Sequence, residues 1–232
     1  MATAQYSPEK SRSSLGAAER NINHKSSPLA EVAFLLFCIE AVMWVSPLTV
    51  SPRTASAGMI LLIVVLLIVT AVRDRETPRE LGFRVDNLLA ALARLALPLS
   101  IFILLVMVIG LLAGTVRFGP KFFSMLVFVP LWALLQQYLL LAFVLPRMRM
   151  IFGPGKASSL ASAAIFSILH LPNPVLTVVC AAGGYIWVRA YEREANLFAS
   201  ALTHTLASAF LANTLPGWVL KNMVVGYNYF LR

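Results

Sequence analysis

From Gly58 to Val72 the chain reads GMILLIVVLLIVTAV, without one charged side chain. Uncharged apolar runs recur along most of its length. Several reach the roughly 18–25 residues that a helix needs to cross a bilayer. No other feature constrains the fold as strongly. In lipid every backbone N–H and C=O must be satisfied within the protein, which leaves helices or closed β-barrels. A barrel strand alternates apolar and polar residues over about ten positions, and these runs are continuous. The chain is therefore expected to be all-α, a polytopic transmembrane helical bundle of about 7–8 spans. Composition agrees: 59% of the residues are hydrophobic and 12% charged, against about 25% charged in soluble domains.

The expected spans are about Leu29–Val50, Ala57–Val72, Leu88–Gly114, Phe122–Leu145, a short one between Pro154 and Pro172, Pro174–Arg189, Asn196–Leu215, and a short eighth over Trp218–Leu231 that Lys221 interrupts. Pro146 and the run Arg147-Met148-Arg149 are expected to end the fourth. Residues 1–28 are polar, Ser-rich and without apolar periodicity. They read as a disordered cytoplasmic tail ahead of a transmembrane domain over 29–232, and His24 within them as a solvated side chain.

The net charge of +9 would suggest nucleic acid in a soluble protein. Here it follows from topology. With the N-terminus in the cytoplasm, that side receives Lys10, Arg12, Arg20 and Lys25, then Arg73, Arg75, Arg79 and Arg84, then Arg147, Arg149 and Lys156, then Arg189 and Arg193. The other side receives Arg53, Arg117 and Lys121. This is the asymmetry of the positive-inside rule. The expected location is an integral, multi-pass membrane protein with a cytoplasmic N-terminus and no nucleic-acid partner. Cys38 and Cys180 both lie in apolar runs and read as small hydrophobes. Trp44, Tyr191, Trp218, Tyr227 and Tyr229 read as interfacial aromatics.

Polar groups at membrane depth are functional candidates by default. They are Glu31 and Glu40 in the first span, Gln136 and Gln137 in the fourth, His170 at the end of the fifth, and His204 with Ser208 in the seventh. Phe166 and His170 are four apart and share a helix face, as do His204 and Ser208. Small residues on the same helices, such as Ala161, Gly184 and Ser200, allow close packing. The polar groups of the fourth, fifth and seventh spans can then meet in one interior pocket.

Gln136-Gln137, the segment Phe166-Ser-Ile-Leu-His170-Leu-Pro172 and the segment Asn196-Leu-Phe-Ala-Ser200-Ala-Leu-Thr-His204 follow the order and spacing of the CAAX-protease and bacteriocin-processing (CPBP) family of glutamic intramembrane proteases. The resemblance covers about residues 120–215. It implies a CPBP-like core, with Gln136, Gln137, His170, His204 and Ser208 at the catalytic positions and Phe166 against the substrate. No metal and no cofactor is expected. In that family one Glu acts as general base on water, an Arg holds the carboxylate pair, and two His with an Asn hold water and stabilise the oxyanion.

This sequence departs from the pattern at the base. Gln136 and Gln137 stand where the two Glu would be, Leu141 where the Arg would be, and Ser208 where the Asn would be. A glutamine amide accepts no proton near neutral pH, though it can hold water. No Asp or Glu occurs between Asp86 and Glu192, which leaves Glu40, with Glu31 near the edge, as the candidate substitute base at membrane depth; the preferred reading of Glu40 is a protonated side chain or a helix–helix hydrogen bond. The absence of a Gly-x-Ser-x-Gly context argues against Ser167/His170 or Ser208/His204 as a nucleophilic dyad. Two His with Gln or Ser make a poor zinc site. The expected function is that of a pseudoprotease, which binds a membrane protein or hydrophobic peptide segment within the lipid bilayer. An active endopeptidase with atypical chemistry and an accessory subunit of a larger membrane complex are the alternatives.

Overall fold

The computed structural model describes residues 27–231, and the segment read as a disordered tail lies almost wholly outside them. No strand occurs among the described residues. The chain forms α1 (Pro28–Glu40), α2 (Pro52–Arg73), α3 (Leu88–Leu112), α4 (Pro120–Gln137), α5 (Leu145–Phe152), α6 (Lys156–Ile168), α7 (Pro174–Tyr191), α8 (Leu197–Thr214) and the single turn α9 (Gly217–Leu220). Proline opens α1, α2, α4 and α7. The first turn is where a missing N–H costs nothing. Asn173 and Asn196 cap α7 and α8, accepting from the Leu176 and Ala199 amides at 3.1 and 2.8 Å and satisfying donors that would otherwise be orphaned.

Between α4 and α5 the helix does not stop. Tyr138–Val144 is wound as a π-helix, so helical backbone runs unbroken from Pro120 to Phe152. Pro146 and the arginines after it therefore do not end the fourth span. The looser winding supplies the room that proline, lacking an N–H and crowding the preceding turn, needs inside a helix. The expected eighth span is not one either. Past the four residues of α9 come only short 3₁₀ turns over Lys221–Met223 and Gly226–Leu231.

Among the described residues five helical stretches are long and apolar enough to cross a membrane: Pro28–Leu48, Pro52–Arg73, Leu88–Leu112, Pro120–Phe152 and Pro174–Tyr191. That is fewer than the seven or eight expected. α6 is short, and α8 carries too many polar residues. The packing explains why α8 can be polar. It lies against α3 and α4, and its Thr203, His204, Thr205, Asn213 and Thr214 are all buried. A helix wrapped in protein need not be apolar on the scale that lipid demands. α3 touches it very closely at Gly110, where any Cβ would sit 2.5 Å from the Thr214 carbonyl oxygen. Conversely, Leu112, Phe128 and Leu131 are 86, 76 and 78% exposed. An apolar surface of that extent belongs against lipid tails.

Two apolar clusters hold the bundle. The larger joins α3, α6, α7 and α8 through Leu95, Val106, Phe166, Val188 and Leu211. The smaller joins α1 and α2 to the π-helical stretch and α5 through Leu35, Leu67, Phe143 and Met148. Charge seals the smaller one. Arg147, 1% exposed, donates from Nε to Glu31 on α1 at 2.8 Å and from Nη2 to Asp74 after α2 at 3.3 Å. Its guanidinium lies 3.7 Å from the centre of the Phe143 ring and donates to the Phe143 carbonyl at 3.0 Å. Arg73 completes the group, 2.9 Å from Glu31 and 2.8 Å from Asp74. Read from the sequence, Arg147 is a topology marker at a span end. In the fold it is the centre of a buried ion-pair clamp.

Candidate functional site

Helices α1–α4 and α6–α8 line a cavity of about 610 Å³. Gln136, Phe166, His170, His204 and Ser208 all line it, and none of the lining residues is Asp, Glu, Lys or Arg. The two adjacent glutamines divide their work, because neighbours on a helix point about 100° apart. Gln136 faces the cavity, half-buried. Gln137 is fully buried behind it, and its Nε2 donates to His204 Nδ1 at 3.1 Å. That bond leaves the His204 proton on Nε2. Gln137 Oε1 is buried with no hydrogen-bond partner.

His170 lies just beyond α6, and its Nδ1 donates to the Phe166 carbonyl at 2.8 Å. The lone pair is then on Nε2. The pair of histidines is thus set as one donor and one acceptor, a combination that suits water, a hydroxyl or a peptide group. Phe166 meets both rings edge-on, at 5.0 Å from His170 and 6.1 Å from His204. Ser208 sits one turn beyond His204 on α8, half-buried. Leu141, where the family Arg would fall, is fully buried in the larger apolar cluster.

Trp187 was not singled out from the sequence. It stacks on His204 with ring centres 4.6 Å apart, and its Nε1 donates to Thr203 at 3.1 Å. The available signal was the pair Gly183-Gly184. A Cβ on Gly183 would lie 3.1 Å from the Trp187 ring, and one on Gly184 3.2 Å from Phe166. The two glycines vacate the space that both aromatics fill.

The substitute carboxylates are elsewhere. Glu40 does not line the cavity and is engaged with the Trp44 side chain. Glu31 is committed to Arg73 and Arg147. The Ser167 hydroxyl donates to the Ala164 carbonyl at 2.9 Å, and among the described residues no serine hydroxyl bonds the imidazole of either histidine. Among those residues, too, no three His, Cys, Asp or Glu side chains converge as a metal site would require.

Residues 118–210 match the family model Rce1-like, whose description is type II CAAX prenyl endopeptidase Rce1-like. Over that stretch, which is less than half of its length, the chain is similar to the Rce1-like family. The match takes in α4, α5, α6 and α7 and most of α8, so both glutamines, both histidines, Phe166 and Ser208 fall inside the matched stretch. It agrees with the resemblance drawn from the motifs, and with the apolar helices it marks an integral, multi-pass membrane protein of protease-like fold. No curated protein and no solved structure matches the chain.

Proposed function

We propose that this chain is an intramembrane-protease homologue that holds a neutral, apolar segment of another membrane protein in the cavity and does not cut it. One observation carries the reading. The histidine pair is kept and oriented, yet the position behind it is an amide, Gln137, bonded to His204 at 3.1 Å. Hydrolysis needs a group that takes a proton from water, and loss of a positioned general base costs about 10²–10⁴-fold in rate. The donor and acceptor on the two histidines still match a peptide group, and the uncharged lining favours an uncharged guest. The arginine-rich end, with Arg73, Arg75 and Arg147, is the cytoplasmic one in this proposal, on the positive-inside rule.

A second reading is slow hydrolysis with His170 as base. The free Nε2 left by its bond to the Phe166 carbonyl favours it. One experiment separates the two. The protein is reconstituted in bilayers with an N-acetylated, C-amidated Leu/Ala-rich peptide that carries a fluorophore and a quencher. The expected result is saturable binding without cleavage, weakened in His204→Ala, with slow cleavage appearing in the double variant Gln136→Glu, Gln137→Glu. Cleavage by the natural chain that His170→Ala abolishes would establish the second reading. Absence of binding would leave a structural subunit of a larger complex.

A further inference from the structure

The cavity has one wall that belongs to no helix. After α9 the chain turns back, and Met223 and Val225 line the cavity, as His170 does. Between them Val224 is extended, with φ −77° and ψ 139°, so the two flanking side chains lie on one side of the backbone, as alternate residues of an extended peptide do. This segment is held at three places. Asn173, 0% exposed, donates from Nδ2 to the Leu220 carbonyl at 2.9 Å and the Val224 carbonyl at 3.3 Å. The Gly226 amide donates to the Leu171 carbonyl at 2.9 Å. Phe230 rests against Trp44, with ring centres 6.1 Å apart. Gly226 is required here, since a Cβ on it would come 2.6 Å from the Met43 carbonyl oxygen.

The segment is also strained. Lys221, Asn222 and Met223 have φ of 47, 52 and 60°, three successive non-glycine residues in the left-handed region. Such residues persist only where the surroundings over-determine them, and they cluster at clamps and switches. Latches on a strained span are the ingredients that a two-state element needs.

We infer that residues 221–226 are a self-ligand. The strap fills one end of the cavity with Met223 and Val225, is latched by Asn173, and swings out to admit an apolar segment of another chain. The closing of the cavity does not rest on the pseudoprotease reading, whereas the identity of the guest does.

Cys180 lines the cavity and reports on the strap. Maleimides react with the thiolate, which forms once water reaches the thiol, and the lipid-facing side supplies none. In a Cys38→Ser background, with the full chain in bilayers, Cys180 is alkylated by N-benzylmaleimide. Asn173→Ser keeps a side-chain oxygen to cap α7 but cannot reach the strap carbonyls, and about tenfold faster alkylation is expected from the lost bonds. Lys221→Gly relieves left-handed strain and holds the strap closed, so alkylation about threefold slower is expected. A merely loosened fold would not produce that second result. Equal rates in all three proteins overturn the strap, as does acceleration in both variants. If the rates follow the expected order while the Leu/Ala-rich peptide binds none of the proteins, the strap stands and the binding reading falls.

Discussion

In the clamp, Arg147 is 1% exposed and lies between Glu31 and Asp74, while no Asp, Glu, Lys or Arg lines the cavity of about 610 Å³. The same bundle buries a dense knot of charge at one place and excludes charge at another. A buried ion cluster is tolerable when every member is paired. It costs several kcal/mol per ion to desolvate and repays that through close partners. The clamp meets this condition with Arg73, Glu31, Asp74 and Arg147. The cavity solves the opposite problem. It must offer hydrogen bonds to a guest without trapping a charge, and amides, imidazoles and a hydroxyl do so. In a protease of this architecture the carboxylates would have to be in the cavity. Here Glu31 and Asp74 serve instead to fasten α1 and α2 onto α5.

The largest effect expected from breaking this contrast comes from Arg147→Met. It leaves Glu31 and Asp74 with Arg73 as their remaining shared partner, and loss of one member of a buried pair costs up to about 3–5 kcal/mol. The protein should unfold at much lower temperature in detergent. A stability close to that of the natural chain would mean that the clamp adds nothing to the fold. Gln137→Leu tests the other side. It removes the donor to His204 Nδ1 and leaves that nitrogen buried, a loss of about 1–3 kcal/mol. Peptide binding should weaken with it, whereas in Arg147→Met any surviving folded protein should bind normally.

Glu76, on the loop that follows α2, lets pH probe the edge of the clamp. Burial, with Asp74 and Glu80 nearby, pushes its carboxyl up from 4.5 to about 7, against the pull of Arg147 and Arg73. Between those two values the folded protein holds a proton that the unfolded chain has released. Stability should therefore fall as pH rises from 4.5 to 7 and level off above it. Glu76→Gln should flatten that slope in denaturant titrations run at successive pH values. The smallest effect is expected at Asp86, where Arg84 holds the carboxyl down at about 2. Its contacts with Arg84 and Arg79, at 2.6 and 2.9 Å, are on the surface, and exposed pairs contribute at most about 1 kcal/mol. Asp86→Asn should shift unfolding by less than that. A larger shift would show that the charge contrast extends to the loop.

The helical character of the chain was legible because apolar runs of span length have few other solutions in lipid. The meeting of Phe166, His170 and His204 was legible from i,i+4 spacing and motif order. What remained hidden shares one cause. Arg147 and Glu31 are paired across 116 positions, and no local pattern distinguishes a buried arginine from one at a membrane surface. The same holds for Trp187 against His204, a contact between two helices. Pro146 read as a terminator because the winding that accommodates it is a backbone property. Glu40 and Glu31 read alike, as acids in one span, until the fold sent one to Trp44 and the other to the arginines. The strap was invisible as such, since an apolar stretch interrupted by Lys221 looks the same whether it crosses a bilayer or folds back on a cavity.

The π-wound stretch Tyr138–Val144 has a consequence for how the two regions are joined. Each residue turns the side-chain direction by about 100°, so a stretch with more residues per turn resets the phase of all that follows. Gln136 and Gln137 lie before it and Arg147 after it, on what is otherwise a single rod. Excising one residue from the stretch would restore ordinary winding and rotate Arg147 off Glu31 and Asp74, with the glutamines left in place. The stretch works as a phase shifter between two interfaces of one helix, and the facing of the cavity and of the clamp can drift apart in evolution by a single insertion or deletion there.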